Sequence, residues 1–381
     1  MHFRWIITLA MVVMSGCNQT QSQQISPTDS VDEGTASRLP IDPMLGEIAY
    51  PKEEALAQEI AAVIEAAIRK RDSTGTARRD VHPKAHGCVK ASFSVSEALP
   101  AKFASGVFVP GKRYDAWIRF SNGSSTVDRA DIKGDARGMA IKLMDVPGPT
   151  LVGDPLGETT QDFILISHPV FFMNDPKAYL SLMKRVNNEN FFSKLLVPFT
   201  LGFKGTLIGR EITSKKISNP LQTRYWSEVP YQLGSGPERK AVKYSARACT
   251  TKTDPFPKNP SDNFLREALR HTLENTAACM EFLIQPRTSD ALSVEDSMTE
   301  WEEDDAPFFP VATIEIPVQD FDTAEQNTFC ENLSFNPWHA LPDHKPLGVM
   351  NRLRKSIYEH TTRVRHSMNA VETKLRAPGI Q

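Results

Sequence analysis

The chain has no apolar run long enough to cross a bilayer, no C-x-x-C pair and no surplus of charge of either sign. A spanning helix needs about 20 apolar residues, and the apolar stretch Trp5 to Met14 is far shorter. Five cysteines without close pairing exclude a zinc cage of the finger type. Forty-four Lys and Arg against 46 Asp and Glu give a net charge of -2, which offers no broad attraction for nucleic acid or an anionic surface. Internal repeats are absent as well. With 40% hydrophobic and 24% charged residues over 381 positions, the composition is that of a globular protein with a sizeable core.

The N-terminus carries a targeting signal. Arg4 precedes the apolar run, which closes on Met14-Ser15-Gly16-Cys17, an arrangement that resembles the signal of bacterial lipoproteins, cleaved before an acylated cysteine. Residues 1–16 are then a signal peptide, Cys17 is the lipidated mature terminus, and the protein is periplasmic and membrane-anchored. Asn18 in place of Asp favours the outer membrane by the same resemblance. Residues 17–50, rich in Gln, Ser, Thr, Asp and Pro, read as a flexible tether, and 51–381 as one folded domain. Cys88, Cys249, Cys279 and Cys330 remain, in a compartment where disulfides persist, with no pairing selected.

Within the folded part, Ala55, Ile60, Val63, Ile64 and Ala67 recur at helical spacing and predict a surface helix over Glu53–Arg71. From Cys88 to Leu143, short alternating runs between Gly, Pro and Asp turns predict antiparallel strands. Asp162–Ile166 and Val311–Pro317 predict two more strands, and Asp175-Pro176 opens a helix. Residues 191–238 read as irregular and 332–350 as an ordered loop. Asn351 to about Val371 is free of Pro and Gly and predicts a helix with two stripes: Leu353, Ile357, Val364 and Met368 for packing, and Arg354, Tyr358, Thr361 and Arg365 beside them.

On its own, a Tyr one turn from an Arg is a packing pair. The whole string Arg354-Lys355-Ser356-Ile357-Tyr358-Glu359-His360-Thr361-Thr362-Arg363-Val364-Arg365, however, resembles the R-x-x-x-Y-x-x-x-x-R-x-R signature of haem catalases. Three further blocks in the family's order resemble it too: Arg79-Asp80-Val81-His82-Pro83-Lys84-Ala85-His86-Gly87, Arg119-Phe120-Ser121 with Gly134 to Lys142, and Ser167-His168-Pro169-Val170-Phe171-Phe172 to Pro176. The resemblance implies an α+β fold: an antiparallel β-barrel with surrounding helices and a C-terminal haem-ligand helix. It implies haem b as cofactor, with Tyr358 as the iron ligand and Arg354 one turn earlier helping to keep the phenol ionised. It makes His82 the distal acid–base group, with His86 next in line, and Arg79, Arg119 and Arg365 contacts of the haem, with Tyr179 stacking on it. Ser167 stands where the family carries a distal Asn. A zinc set of His82, His86 and Cys88 is the minor alternative.

The implied function is a haem-dependent hydroperoxidase acting on hydrogen peroxide or organic hydroperoxides in the cell envelope. The alternatives are a catalase-like enzyme rearranging fatty-acid hydroperoxides and a non-enzymatic haem-binding lipoprotein. Partners are a small peroxide and, through Cys17, the membrane, without nucleic acid and with an oligomer left open. The sequence continues only briefly beyond the Tyr helix, so the extra C-terminal helical region of full-size catalases is expected to be absent or rearranged.

Overall fold

The computed structural model describes residues 41–371 apart from 189, so the leader, Cys17 and most of the tether lie outside the described residues. The elements run α1 (Glu53–Arg71), β1 (Ala85–Val95), β2 (Arg113–Asn122), β3 (Arg137–Leu143), β4 (Gln161–Ile166), α2 (Pro176–Val186), α3 (Phe191–Leu195), α4 (Val197–Ser214), β5 (Tyr225–Trp226), β6 (Tyr231–Leu233), β7 (Lys240–Ala248), α5 (Phe264–Asn275), β8 (Ala278–Pro286), β9 (Phe309–Ile316), α6 (Ala324–Asn332) and α7 (Val349–Met368).

The strands follow the order β5-β4-β3-β2-β1-β9-β8-β7-β6, and β5 also pairs with β7. That pairing, Tyr225 to Ala246 and Trp226 to Ser245, closes eight strands into an antiparallel barrel and leaves β6 on the far end of β7. Closure removes the sheet edges that would otherwise expose unpaired backbone. Alternate side chains point inward, so Phe93, Phe163, Tyr244 and Phe282 from four different strands meet in the interior. Ring centroids there lie 4.7 Å apart for Phe163 and Phe282 and 5.0 Å for Phe163 and Tyr244. Contacts of this kind add about 0.5–1.5 kcal/mol each beyond the area they bury.

The outward residues of β1 and β2 are buried too, because α6 covers them. Trp117 packs on Phe329 at 4.8 Å, and Cys88 is bonded to Cys330. A second disulfide joins Cys249 and Cys279. The sequence left all four cysteines unpaired; the fold pairs each with one on a neighbouring element, and Cys88 is thereby unavailable as a metal ligand.

Three expectations from the pattern need adjustment. Residues 41–50 are not wholly tether: Leu45 is buried, and the buried Glu47 carboxylate pairs with Lys345 at 2.8 Å and Arg352 at 2.7 Å. The segment read as irregular holds α3 and α4, with α4 broken at Gly202, whose φ of 67° departs from helical geometry. The C-terminal helix begins two residues earlier than expected and ends at Met368; of its packing stripe Leu353, Ile357 and Val364 are buried but Met368 is half-buried, and of the second stripe Arg354, Tyr358 and Thr361 are half-buried while Arg365 is buried.

Candidate functional site

The short loop between α1 and β1 presents His82. Its φ of +61° is unusual for a residue with a side chain, and such strain persists only where surroundings over-determine it. Here they do. Arg71, at the end of α1, donates to the carbonyls of Arg78 and Arg79 at 2.9 Å each, and the His82 N–H bonds the Gly123 carbonyl at 3.3 Å. The His82 carbonyl accepts from Arg119 at 2.9 Å.

The ring is set by the register of β2 and β3. Ser121 lies opposite Gly138, and the Ser121 hydroxyl is 2.9 Å from His82 Nδ1. A Cβ on Gly138 would fall 2.6 Å from the same nitrogen, so only glycine lets the imidazole lie there. With Nδ1 bonded to Ser121, Nε2 is left without a hydrogen bond among the described residues. Burial, followed by the charges of Arg119, Arg354 and Arg79, pushes the imidazole down to about 3. It is therefore held neutral at physiological pH, well below the near-neutral titration of a free histidine.

His86 belongs elsewhere. Its Nε2 bonds Asn122 at 2.8 Å inside a buried network with Asp131, and Asn122 and Asp131 in turn bond the Arg137 guanidinium. The zinc set is thus dispersed: His86 is committed to this network and Cys88 to a disulfide.

Arg79, Arg119 and Arg365, from three separate elements, converge on one carboxylate. Glu331 lies 3.0 Å from Arg79, 3.9 Å from Arg365 and 4.0 Å from Arg119. The Cys88–Cys330 bond fixes the residue before Glu331 to β1, where Cys88 is the register partner of Arg119. Among the described residues, three guanidiniums against one carboxylate leave two positive charges uncompensated, and the buried Nε of Arg119 has no hydrogen-bond partner. The crowding shows in the charges: burial first, then Arg79, lowers Arg119 and Arg365 to about 9 each.

Tyr358 lies within electrostatic range of the same groups. Its phenol makes no hydrogen bond among the described residues, and burial raises it above its ordinary value despite the opposing charges of Arg354 and Arg79. The expected donation from Arg354 to Tyr358 is not made. Arg354 instead reaches Glu228 and Asn351, each at 3.4 Å, and lies 5.4 Å over the Phe171 ring. Glu228 is buried, carries a φ of +62°, and is pushed up to about 7 by desolvation against the pull of Arg354. The phenol therefore stays protonated unless a further cation arrives. Tyr179 is half-buried, 6.0 Å from Phe171, with its phenol raised by burial and by Tyr358.

Ser167 is buried, and its hydroxyl oxygen accepts the Arg137 N–H at 3.0 Å. It is tied to the end of β3, with its proton and one lone pair left for a further partner.

The structure thus brings His82, Arg79, Arg119, Arg354, Arg365, Tyr179 and Tyr358 into one neighbourhood and adds two groups that the sequence did not signal, Glu331 and Glu228. The donor set fits the implied haem: two uncompensated positive charges suit its two propionates, and an unpartnered phenol suits the iron.

Comparison with known proteins bears on the family and the fold. The family model for catalase matches residues 53–192. Catalase from Staphylococcus epidermidis is 32% identical over 114 residues, which is 29% of this chain and 20% of that enzyme, so the match spans only a fifth of the relative's length. Catalase A from Saccharomyces cerevisiae superposes with a TM-score of 0.59 at 18% identity, covering 82% of this chain and 67% of the yeast chain. A fungal catalase gives 0.58 at 15% identity, over 80% and 62% of the two chains, and a bacterial catalase 0.55 at 17%, over 91% and 65%. At these identities the superpositions speak for the fold.

Proposed function

Since this chain is catalase-like in family and in fold, we propose that it is a haem-dependent hydroperoxidase. The observation that carries the reading is the convergence of Arg79, Arg119 and Arg365 on the single carboxylate of Glu331, beside an unpartnered Tyr358 phenol and a neutral His82. Bound haem would supply the redox chemistry of peroxide cleavage.

Each residue has a role in this reading. Tyr358 would hold the iron as phenolate; Arg354, one turn earlier, would stabilise that anion, and Glu228 holds Arg354. The three arginines would take the propionates. His82 Nε2 accepts the peroxide proton and returns it to the departing oxygen, while the Ser121 contact on Nδ1 fixes ring and tautomer. A base near 3 accepts protons poorly, but anions at the arginines would cancel part of the potential that depresses it.

A second reading, turnover of an organic or fatty-acid hydroperoxide without oxygen release, is favoured by Ser167. Where the family carries an amide, this chain has a short hydroxyl already engaged by Arg137. Localisation in the periplasm, anchored through Cys17, belongs to the same proposal. Haem-loaded protein given hydrogen peroxide should release oxygen on the first reading, and should consume a lipid hydroperoxide silently on the second. His82→Ala should abolish either activity while keeping the haem spectrum. Full activity in His82→Ala would remove the imidazole from the reaction.

A further inference from the structure

The outer face of the barrel carries a second group of buried charges. Lys142 on β3 is fully buried, and its ammonium lies 2.8 Å from Asp154, 2.9 Å from Asp162 on β4 and 3.2 Å from the Thr160 hydroxyl. Burial works against that charge, but the two carboxylates raise it above the ordinary lysine value. Two carboxylates against one ammonium leave a negative charge over, and it falls beside His339, which is 1% exposed. His339 Nδ1 lies 3.0 Å from Asp162 and 3.5 Å from Asp154. Lys142 is 3.4 Å from the same nitrogen, with its three protons already directed at closer oxygens. An ionised carboxylate can only accept, so Nδ1 carries a proton, and the neutral ring has its lone pair on Nε2.

That nitrogen bonds nothing among the described residues and is not one of the polar atoms sealed in the interior. His339 lines a cavity of about 210 Å³ between the β3–β4 loop and α7. Asn336 lines it too: its Oδ1 accepts the Trp338 N–H at 3.0 Å, and its Nδ2 has no partner among the described residues. One hydroxyl satisfies both groups, donating to the lone pair and accepting from the amide. Glu359 and Arg363 on α7 bring one charge of each sign to the lining, so neither an anion nor a cation is favoured. The volume lies below the roughly 300–1,000 Å³ of pockets for drug-sized ligands, which suits a single ring. Thr362, also in the lining, is one helical turn from Tyr358. The Phe335 ring, with Lys142 5.7 Å and Arg79 5.8 Å from its centroid, touches both this cluster and the arginines assigned to haem.

We propose that this cavity binds the reducing co-substrate of the hydroperoxidase, a small uncharged phenol, with His339 as the base that takes its proton. The inference rests on the hydroperoxidase reading. The phenol hydroxyl donates to His339 Nε2 and accepts from Asn336 Nδ2. As one electron leaves the ring for haem oxidised by peroxide, the O–H bond breaks and the proton passes to Nε2, where the carboxylate charge that Lys142 leaves over stabilises the imidazolium. A phenoxyl radical departs and the proton is released to solvent. Two phenols thus supply the two electrons and two protons that turn one hydroperoxide, ROOH, into ROH and water.

Binding is tested first without haem. The fluorine resonance of 4-fluorophenol, titrated with haem-free protein, should shift and saturate. The methyl ether 4-fluoroanisole, which has no proton to donate, should bind about tenfold more weakly, and His339→Phe should weaken 4-fluorophenol by about the same factor. His339 is tied into the buried cluster, so Gly153→Trp is made as well: a Cβ there meets nothing within 4 Å, and the indole narrows the cavity that Gly153 lines. No saturable shift, equal binding of the ether, or unchanged affinity in a folded variant overturns the proposal. Once haem is loaded, hydroperoxide should drive guaiacol oxidation, with the guaiacol KM raised about tenfold in Gly153→Trp; an unchanged KM overturns the proposal. Failure of the underlying reading shows separately, as protein that binds 4-fluorophenol but no haem, and the co-substrate role then falls with it.

Discussion

Replacing Glu331 by Gln removes the one carboxylate among three buried guanidiniums while keeping its shape. At separations of 3.0, 3.9 and 4.0 Å and an effective dielectric of about 20, the attractions come to about 5.5, 4.3 and 4.2 kcal/mol before desolvation and arginine–arginine repulsion are counted. Those opposing effects cancel most of the attraction, and breaking a buried pair from one side typically costs about 3–5 kcal/mol net. Glu331→Gln should therefore lower the unfolding free energy of the haem-free protein by about that much, a large share of a usual 5–15 kcal/mol. Urea unfolding followed by the fluorescence of Trp117, Trp301 and Trp338, all buried, measures it. A doubly anionic ligand at the arginines should restore much of the loss, so haem should narrow the gap between variant and wild type, and haem affinity should not fall. An unchanged urea midpoint without haem, or a gap that haem leaves unaltered, would refute the charge reasoning.

Gly138→Ala places a methyl 2.6 Å from His82 Nδ1 and must displace the ring; peroxide turnover should fall roughly 10²-fold with the haem spectrum retained, and stopped-flow rates compare the two proteins. His344 accepts the Val107 N–H on Nε2 at 3.0 Å and meets the Tyr244 hydroxyl at 3.1 Å, and burial pushes it down to about 4 from 6.5. Below pH 6.5 the unfolded chain takes a proton that the folded chain refuses, so this contribution is whole above about 6.5 and drains as pH falls to about 4, by up to about 3 kcal/mol. Urea midpoints between pH 7 and 4 should decline less steeply in His344→Gln than in wild type. The Cys88–Cys330 bond closes a loop of 242 residues and Cys249–Cys279 one of 30; chain entropy gives about 5.5 and 3.6 kcal/mol, so Cys88→Ser should lower the urea midpoint more than Cys279→Ser.

Legibility in the sequence followed the range of the interaction. The α1 boundaries, the two stripes of α7 and the strand run from Cys88 to Leu143 are set by local periodicity and could be read directly. His82, Arg119 and Tyr358 were singled out because several residues around each form a spaced block, and the structure brings them into one neighbourhood. Glu331 could not: it is a single residue meeting Arg79 across 252 positions, and nothing near it announces that contact. The disulfide partners, 242 and 30 positions apart, have no local signal either. Helix α4 was missed because its exposed face is as apolar as its buried one, which erases the 3.6-residue contrast that marks a surface helix. The Arg354 contact was misassigned because helical spacing places it beside Tyr358 but says nothing of the buried carboxylate of Glu228, which comes from a different part of the chain.

Adding haemin to the purified chain and recording its absorption spectrum tests the central claim most directly, with Tyr358→Phe measured in parallel. Wild type should bind one haem and show the spectrum of a ferric phenolate complex, and Tyr358→Phe should lose that spectrum while unfolding at the same urea concentration before haemin is added. The same spectrum in both proteins, or no stoichiometric binding by wild type, would contradict the assignment of Tyr358 as the iron ligand.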